Sequence, residues 1–226
     1  MKRSQINALI DEVIAFLRNQ KFALPPFAFW SPRRWRNTGH EADEIRRNML
    51  GWDLTDFGSG KFATCGLVLF TLRYGDIDTP GDKAYAEKVM IVRPGQVTPM
   101  HFHFSKTEDI INRGGGCLVC RLYNATSDEQ LDRTAAVTVS TDGVIRSLAA
   151  GDQIVLAPGE SVTLPPRLYH SFWGQPEHGT VLVGEVSNVN DDRTDNRFLE
   201  TVGRFPEIVE DEPAKYLLCN EYPPAA

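Results

Sequence analysis

Residues 95–115 read GQVTPMHFHFSKTEDIINRGG. Turn signals bound the stretch, Pro94-Gly95 before it and Gly114-Gly115-Gly116 after it, and between them His101-Phe102-His103-Phe104 has the character of a strand. A period of two puts both imidazoles on one face and Phe102 and Phe104 on the other. Glu108 follows His103 by five residues. Two nitrogen donors and one carboxylate therefore converge from one hairpin, the kind of donor set a divalent metal takes. The chain has only five histidines, at 40, 101, 103, 170 and 178. His170, which follows the Pro165-Pro166 turn, is the candidate fourth ligand from a distant strand, whereas His40 and His178 have no ligand-like spacing and read as surface residues. The plainer alternative is a pair of half-exposed strand histidines beside an edge Glu.

Working outward, short β-rich runs occupy Cys65–Tyr74, Tyr85–Val92, the region around His101–Phe104, Cys117–Tyr123, Val137–Ser140, Val144–Leu148, Gln153–Leu156 and Thr180–Val186. Turns such as Asp142-Gly143 and Pro158-Gly159 separate them. Many short strands at close spacing predict an all-β sandwich or barrel. Before them, Ile6, Leu9, Ile10, Val13, Ile14 and Leu17 form the stripe of an amphipathic helix, with Ser4 as its cap. The proline-rich segment Pro25–Trp35 carries aromatics that must dock on the body of the domain. A second short helix is expected over about Glu41–Leu50, stopped by Gly51. The organisation read from this is one domain: helical and Pro-rich decoration over 1–60, a barrel over 61–205, and a Pro-rich tail over 206–226 that wraps the surface or a neighbouring subunit.

Composition narrows the function. Twenty-four Lys plus Arg against 30 Asp plus Glu give a formal net charge of −6, which argues against a nucleic-acid or anionic-membrane binder. The four cysteines, Cys65, Cys117, Cys120 and Cys219, are too few for a disulfide scaffold in 226 residues. Cys117 and Cys120 form a CxxC, but within a strand-like run positions i and i+3 face opposite sides, so zinc or redox use is not expected. The N-terminus starts basic and turns apolar, yet Asp11 and Glu12 interrupt the run and no cleavage site follows. A cytoplasmic protein with a small-molecule partner is the expectation, and no apolar run approaches the roughly 20 residues that span a bilayer.

The spacing of Gly95, His101, His103, Glu108 and Gly115 resembles the first motif of the cupin superfamily, G-x5-H-x-H-x3,4-E-x6-G. The second motif, G-x5-P-x-G-x2-H-x3-N, is met at Gly159, Pro165 and His170, while Arg167 and Gly174 replace its third glycine and its Asn. The resemblance implies a cupin β-barrel, or jelly roll, with an N-terminal α-helical decoration, and a metal held by His101, His103, Glu108 and His170. Reading further, HFHFSKTEDIINRGGG, CLVCRLY and GEVSNVNDDRTDNRF resemble the D-lyxose isomerase family over most of the chain. That resemblance implies an aldose–ketose isomerase acting between D-lyxose and D-xylulose, and D-mannose and D-fructose, by proton transfer through a cis-enediol at the metal. Mn(II) is the implied cofactor, with Co(II), Fe(II), Ni(II) and Zn(II) compatible with the same ligands.

Such a reaction needs one general base near the metal and a polar cage for the sugar hydroxyls. Glu185, a lone carboxylate in the apolar run Thr-Val-Leu-Val-Gly-Glu-Val, is the candidate base; the alternative is that it points outward or pairs with an Arg. Lys88 and Lys106 are candidate electrostatic catalysts or hydroxyl donors, or else solvated lysines. Asp192 and Arg193 belong to the pocket or to a solvated turn. Phe104 and Trp173 are candidate apolar walls, or core residues. Two competing activities share the metal set: an Fe(II)-dependent cupin dioxygenase, which needs few charged groups near the metal, and a non-catalytic sugar-binding cupin, which could dispense with Glu185. The Pro-rich segment and tail offer apolar surface, from which a homodimer, or a tetramer as a dimer of dimers, is expected.

Overall fold

Alternation of inward and outward residues along strands explains most of the architecture. The computed structural model describes residues 1–79 and 81–226, with the side chains of Asp192 and Arg193 outside that description. In chain order the strands are β1 (Gly51–Thr55), β2 (Leu67–Tyr74), β3 (Tyr85–Val92), β4 (Val97–His103), β5 (Glu108–Gly115), β6 (Leu118–Ala125), β7 (Leu131–Asp132), β8 (Val137–Thr141), β9 (Val144–Leu148), β10 (Gln153–Leu156), β11 (Ser161–Leu164), β12 (Leu168–Gly174), β13 (Val181–Asn188) and β14 (Asn196–Phe198). Among the described residues they form two antiparallel sheets. One runs β1-β2-β3-β13-β5-β11-β8-β9 and the other β10-β6-β12-β4-β14, with β7 beside β6. Face to face these sheets make the expected all-β cupin jelly roll.

Between the sheets, Leu69, Met90, Ile110, Leu122, Val162, Phe172 and Val183 are buried together. The opposite faces of β2, β3 and β13 present Phe70, Val89, Ile91 and Leu182, and helix α1 (Arg3–Asn19) covers them with Ile6, Ile10, Val13 and Leu17. Strands buried on both faces lose the polar alternation of a half-exposed strand, which is why Val89-Met90-Ile91-Val92 reads as one apolar run. Each fully buried aliphatic contributes about 1.5–3 kcal/mol, so α1 is an integral wall of the barrel.

Several local features differ from expectation. Helix α1 begins at Arg3, and its entry is closed by the Lys2 amide donating to Gln5 Oε1 at 2.9 Å. Ser4 is not the cap: its amide and hydroxyl donate to Asp211 at 2.9 and 2.7 Å. The acidic stretch 207–212 is accordingly a tether for the tail, with Arg3 paired to Glu210 at 2.6 Å and also to Glu221, and Asn7 donating to Glu212 at 2.6 Å. The second helix is shorter than expected, a 3-10 turn over His40–Ala42 followed by α2 (Asp43–Arg47). Another single turn, Pro32–Arg36, lies in the Pro-rich segment. That segment docks through Phe27 on Phe70, with ring centroids 5.3 Å apart, and through Trp35 stacked on Tyr222 at 4.0 Å.

Residues 51–55, within the stretch read as decoration, pair along their length with β2. Gly51 opens that strand at φ +111°, and a Cβ there would sit 2.1 Å from the Tyr222 hydroxyl, which donates to the Leu50 carbonyl. Only glycine meets both the conformation and the close approach.

Candidate active site

Strand pairing assembles the histidines. His101 and His103 lie on the inward face of β4, and β12 pairs antiparallel with β4 so that His170 stands directly opposite His101. Ring centroids are 4.1 Å apart for His101 and His170, 5.2 Å for His101 and His103, and 5.5 Å for His103 and His170. One ligand atom from each of the three falls within 4.8 Å of the others. Glu108, the first residue of β5, turns Oε1 to within 3.3 Å of His103 Nε2 and 3.1 Å of His170 Nε2. All four residues are buried.

The protonation pattern follows from the backbone. A carbonyl oxygen only accepts, so the contacts of His101 Nδ1 with Pro99 O at 2.8 Å and of His170 Nδ1 with Leu168 O at 3.0 Å place hydrogen on Nδ1. Nε2 is then the nitrogen of each ring available to a metal. Burial, reinforced by the neighbouring His170 and His103, pushes His101 well below its ordinary value and keeps it neutral. Burial alone would raise Glu108, but Lys106 and His103 outweigh it and hold the carboxyl well below the usual range. His170 Nε2, 3.1 Å from Glu108 Oε1, is buried without a hydrogen-bond partner, the kind of orphaned nitrogen that a metal would satisfy. Three buried imidazoles and one ionised carboxylate thus fit a divalent metal.

Beside this cluster, β13 presents Glu185 inward with Val181 and Val183, opposite Lys88 of β3 in the strand register. Lys88 Nζ lies 3.2 Å and Lys106 Nζ 3.1 Å from Glu185 Oε1, and Lys106 Nζ also lies 2.7 Å from Glu108 Oε2. The four form a buried chain of alternating charge, Lys88–Glu185–Lys106–Glu108, which keeps each ion compensated away from water. The outward alternative for Glu185, and the solvated alternative for both lysines, are therefore excluded. Glu185 pairs with lysines in place of the arginine considered from sequence.

A cavity of about 110 Å³ joins His101, His103 and Glu108 to Glu185, Lys88 and Lys106. Its apolar walls include Phe57, Phe172 and Phe198. Phe104 and Trp173 are not among them. Phe104 packs edge-on against Phe102 with 5.0 Å between centroids, and Trp173 lies beneath the Arg121 guanidinium at 5.4 Å. Period-two geometry is the reason, since each sits an odd number of residues from a ligand histidine. Asp192 and Arg193 lie outside the described residues where side chains are concerned.

Several lining residues escaped the sequence reading. Phe198 of β14 stacks on His101 at 5.0 Å and 22°, Asn196 neighbours His103 in the ladder, and Arg204 at the cavity margin pairs with buried Asp53 of β1. Asp53 carried a usable signal, a lone carboxylate in the otherwise apolar run Gly-Trp-Asp-Leu. Arg204 and Phe198 carried none, because Arg204 lies in irregular chain and Phe198 in a three-residue strand too short to show a period.

A jelly roll with a buried histidine cluster and a carboxylate beside it is compatible with many chemistries, so comparison with known proteins decides the family. A family model described as D-lyxose isomerase matches residues 1–222. The chain belongs to the D-lyxose isomerase family. It is 52% identical over 224 residues to D-lyxose/D-mannose isomerase of Escherichia coli O157:H7, covering 98% of both chains. It is 51% identical over 224 residues, again 98% of both, to the protein of the same name from Serratia proteamaculans. Among solved structures, a mutant L-ribose isomerase from Acinetobacter sp. DL28 in complex with L-ribose superposes with a TM-score of 0.63 over 92% of this chain and 98% of that one. At 14% identity this similarity establishes the common fold. As a D-lyxose isomerase family member the chain is an isomerase, which sets aside the dioxygenase and the non-catalytic sugar binder. Among the described residues no helix is long and apolar enough to cross a membrane.

Proposed function

We propose that this isomerase interconverts D-lyxose and D-xylulose, and D-mannose and D-fructose, with Glu185 as the general base and a divalent metal, Mn(II), held by His101, His103, Glu108 and His170. The observation that carries the reading is the buried Glu185 carboxylate, costly in an apolar strand, facing the same cavity as the ligand cluster and joined to it through Lys106. When bound, the cation supplies Lewis-acid polarisation of the substrate carbonyl.

The chain's own residues account for the proton traffic. Glu185 removes the proton from C2 of the open-chain aldose and returns it at C1, while the O2 hydroxyl proton passes to O1, so that no hydrogen is gained or lost. Lys88 and Lys106 hold Glu185 Oε1 in place, and the Lys106 ammonium compensates negative charge as it develops on the substrate oxygens. Phe57, Phe172 and Phe198 exclude water from the reacting carbons. Asp192 and Arg193 remain candidates for contacts with the outer hydroxyls. The partner is a monosaccharide, the assembly a homodimer, and the location the cytoplasm.

A panel of aldopentoses and aldohexoses, incubated with the Mn(II)-loaded protein and assayed for ketose, tests the reading. D-Xylulose from D-lyxose and D-fructose from D-mannose are expected. Absence of ketose from every aldose overturns it.

A further inference from the structure

The loop Phe104–Thr107 links two metal-ligand positions, His103 at the end of β4 and Glu108 at the start of β5, and it carries Lys106 at its apex. Four residues with no ladder of their own would hold a lysine ammonium loosely. Here every amide of the loop is held by the segment 188–195. Phe104 N donates to the Asp195 carbonyl at 3.0 Å, Ser105 N to Asp195 Oδ1 at 2.8 Å, Lys106 N to Asp195 Oδ2 at 3.2 Å, and Thr107 N to Asn188 Oδ1 at 3.2 Å. The Ser105 hydroxyl adds a bond to Asp195 Oδ1 at 2.6 Å, and Asn190 Nδ2 donates to Oδ2 at 3.1 Å. One buried carboxylate thus accepts four hydrogen bonds, three of them from the loop.

The same network reaches the other lysine. Asn190 Oδ1 accepts from the Tyr74 hydroxyl at 2.6 Å, and the Tyr74 ring lies 5.5 Å from Lys88 Nζ. Asp195 is not among the residues lining the cavity, so it acts on the reaction only through what it holds. His101 and His170 do not depend on it, because they are fixed by the pairing of β4 with β12.

We propose that Asp195 is a positioning residue for the isomerisation: by capping the Phe104–Thr107 loop, its carboxylate places the Lys106 ammonium between Glu108 and Glu185. The inference rests on the isomerase reading above. Asp195→Asn keeps one acceptor oxygen but turns an amide donor toward the donors of Lys106 and Asn190, so the loop shifts. A misplacement of about 1 Å costs about 10²-fold in rate.

The test compares the unaltered enzyme, Asp195→Asn, Lys106→Met and the double variant, each loaded with Mn(II), by kcat and KM for D-lyxose and by metal content. Asp195→Asn is expected to lower kcat about 10- to 100-fold, with KM within about threefold and metal content unchanged. In the Lys106→Met background the same substitution should cost less than about threefold, since residues acting as one unit are non-additive. Should Asp195→Asn not fold, Ser105→Ala removes one hydrogen bond to the same carboxylate and should lower kcat about threefold, again only when Lys106 is present. A kcat within twofold of the unaltered enzyme, or an equal loss with and without Lys106, overturns the proposal while leaving the isomerase reading intact. An unaltered enzyme that forms no ketose overturns both.

Discussion

Replacing Glu185 by Gln removes the proposed base while keeping its shape, and the structure lets the consequences be worked out. Lys88 and Lys106 stand 3.2 and 3.1 Å from Oε1 in a buried setting. Each contact carries a gross attraction of about 5 kcal/mol at an effective dielectric constant of about 20. The gross figure overstates the change, because desolvation of the ions offsets much of it. Breaking a buried pair by removing one partner costs about 3–5 kcal/mol. Lys106 keeps Glu108 at 2.7 Å, so the lower end of that range is expected, together with a fall in midpoint temperature of about 6–12 °C for a chain of this length. The loss is smaller than the usual total stability of about 5–15 kcal/mol, and the variant remains folded at 25 °C. The effect on the reaction is larger: loss of a general base lowers kcat by about 10²–10⁴. D-Xylulose formation from D-lyxose, measured with Mn(II) well below the midpoint temperature, reads kcat, while metal content and D-lyxose binding by calorimetry should change little. A Glu185→Gln enzyme within threefold of normal turnover would refute the assignment and move the base elsewhere in the cavity.

His103→Ala removes a proposed direct ligand, so metal affinity should fall by more than the about 10–100-fold typical of an outer-shell partner; unchanged metal content after dialysis, with the far-ultraviolet circular dichroism of the barrel retained, would contradict the site. The pH dependence of the metal-free protein follows from His101, whose folded-state value lies well below its ordinary 6.5 through burial first and then its two imidazole neighbours. The unfolded chain binds the proton and the folded chain does not, so stability is full above about pH 6.5 and falls as the pH drops below it, by up to about 1.4 kcal/mol per pH unit for this imidazole. Urea midpoints that stay flat from pH 7.5 to 5.5 in chelating buffer would count against a neutral His101. Light scattering at micromolar concentration should give the mass of a homodimer, and the mass of a single 25.3 kDa chain would remove that assembly.

What the sequence determined by itself is whatever depends on near neighbours. The period of two along β4 sets His101 and His103 on one face, and the short link to Glu108 keeps the proposed third ligand close, so most of the candidate metal centre is written within eight residues. The stripe of α1 is equally local, since 3.6 residues per turn brings Ile6, Ile10, Val13 and Leu17 to one side whatever they pack against. Strands β3, β9 and β10 match the expected bounds, each flanked by turn residues.

Strand partners and chain crossings belong to the tertiary structure alone. Strand β11 alternates over only four residues, β12 beyond Pro165-Pro166 shows no clear polar alternation, and the three-residue β14 exists because Asn196–Phe198 finds an open edge on β4. The chain Lys88–Glu185–Lys106–Glu108 draws on β3, β13, the β4–β5 loop and β5, and no local period relates residues 97 positions apart. The reading that Glu185 is functional was available from the cost of burying a carboxylate, but its lysine partners follow from the registers β13 adopts with β3 and β5. Asp195 is the extreme case: an Asp in a polar, turn-like stretch is unremarkable in sequence. It gains its place only when folding delivers that stretch to the amides of Phe104–Thr107, because a carboxylate binds whichever donors the fold brings to it and sequence proximity has no part in that choice.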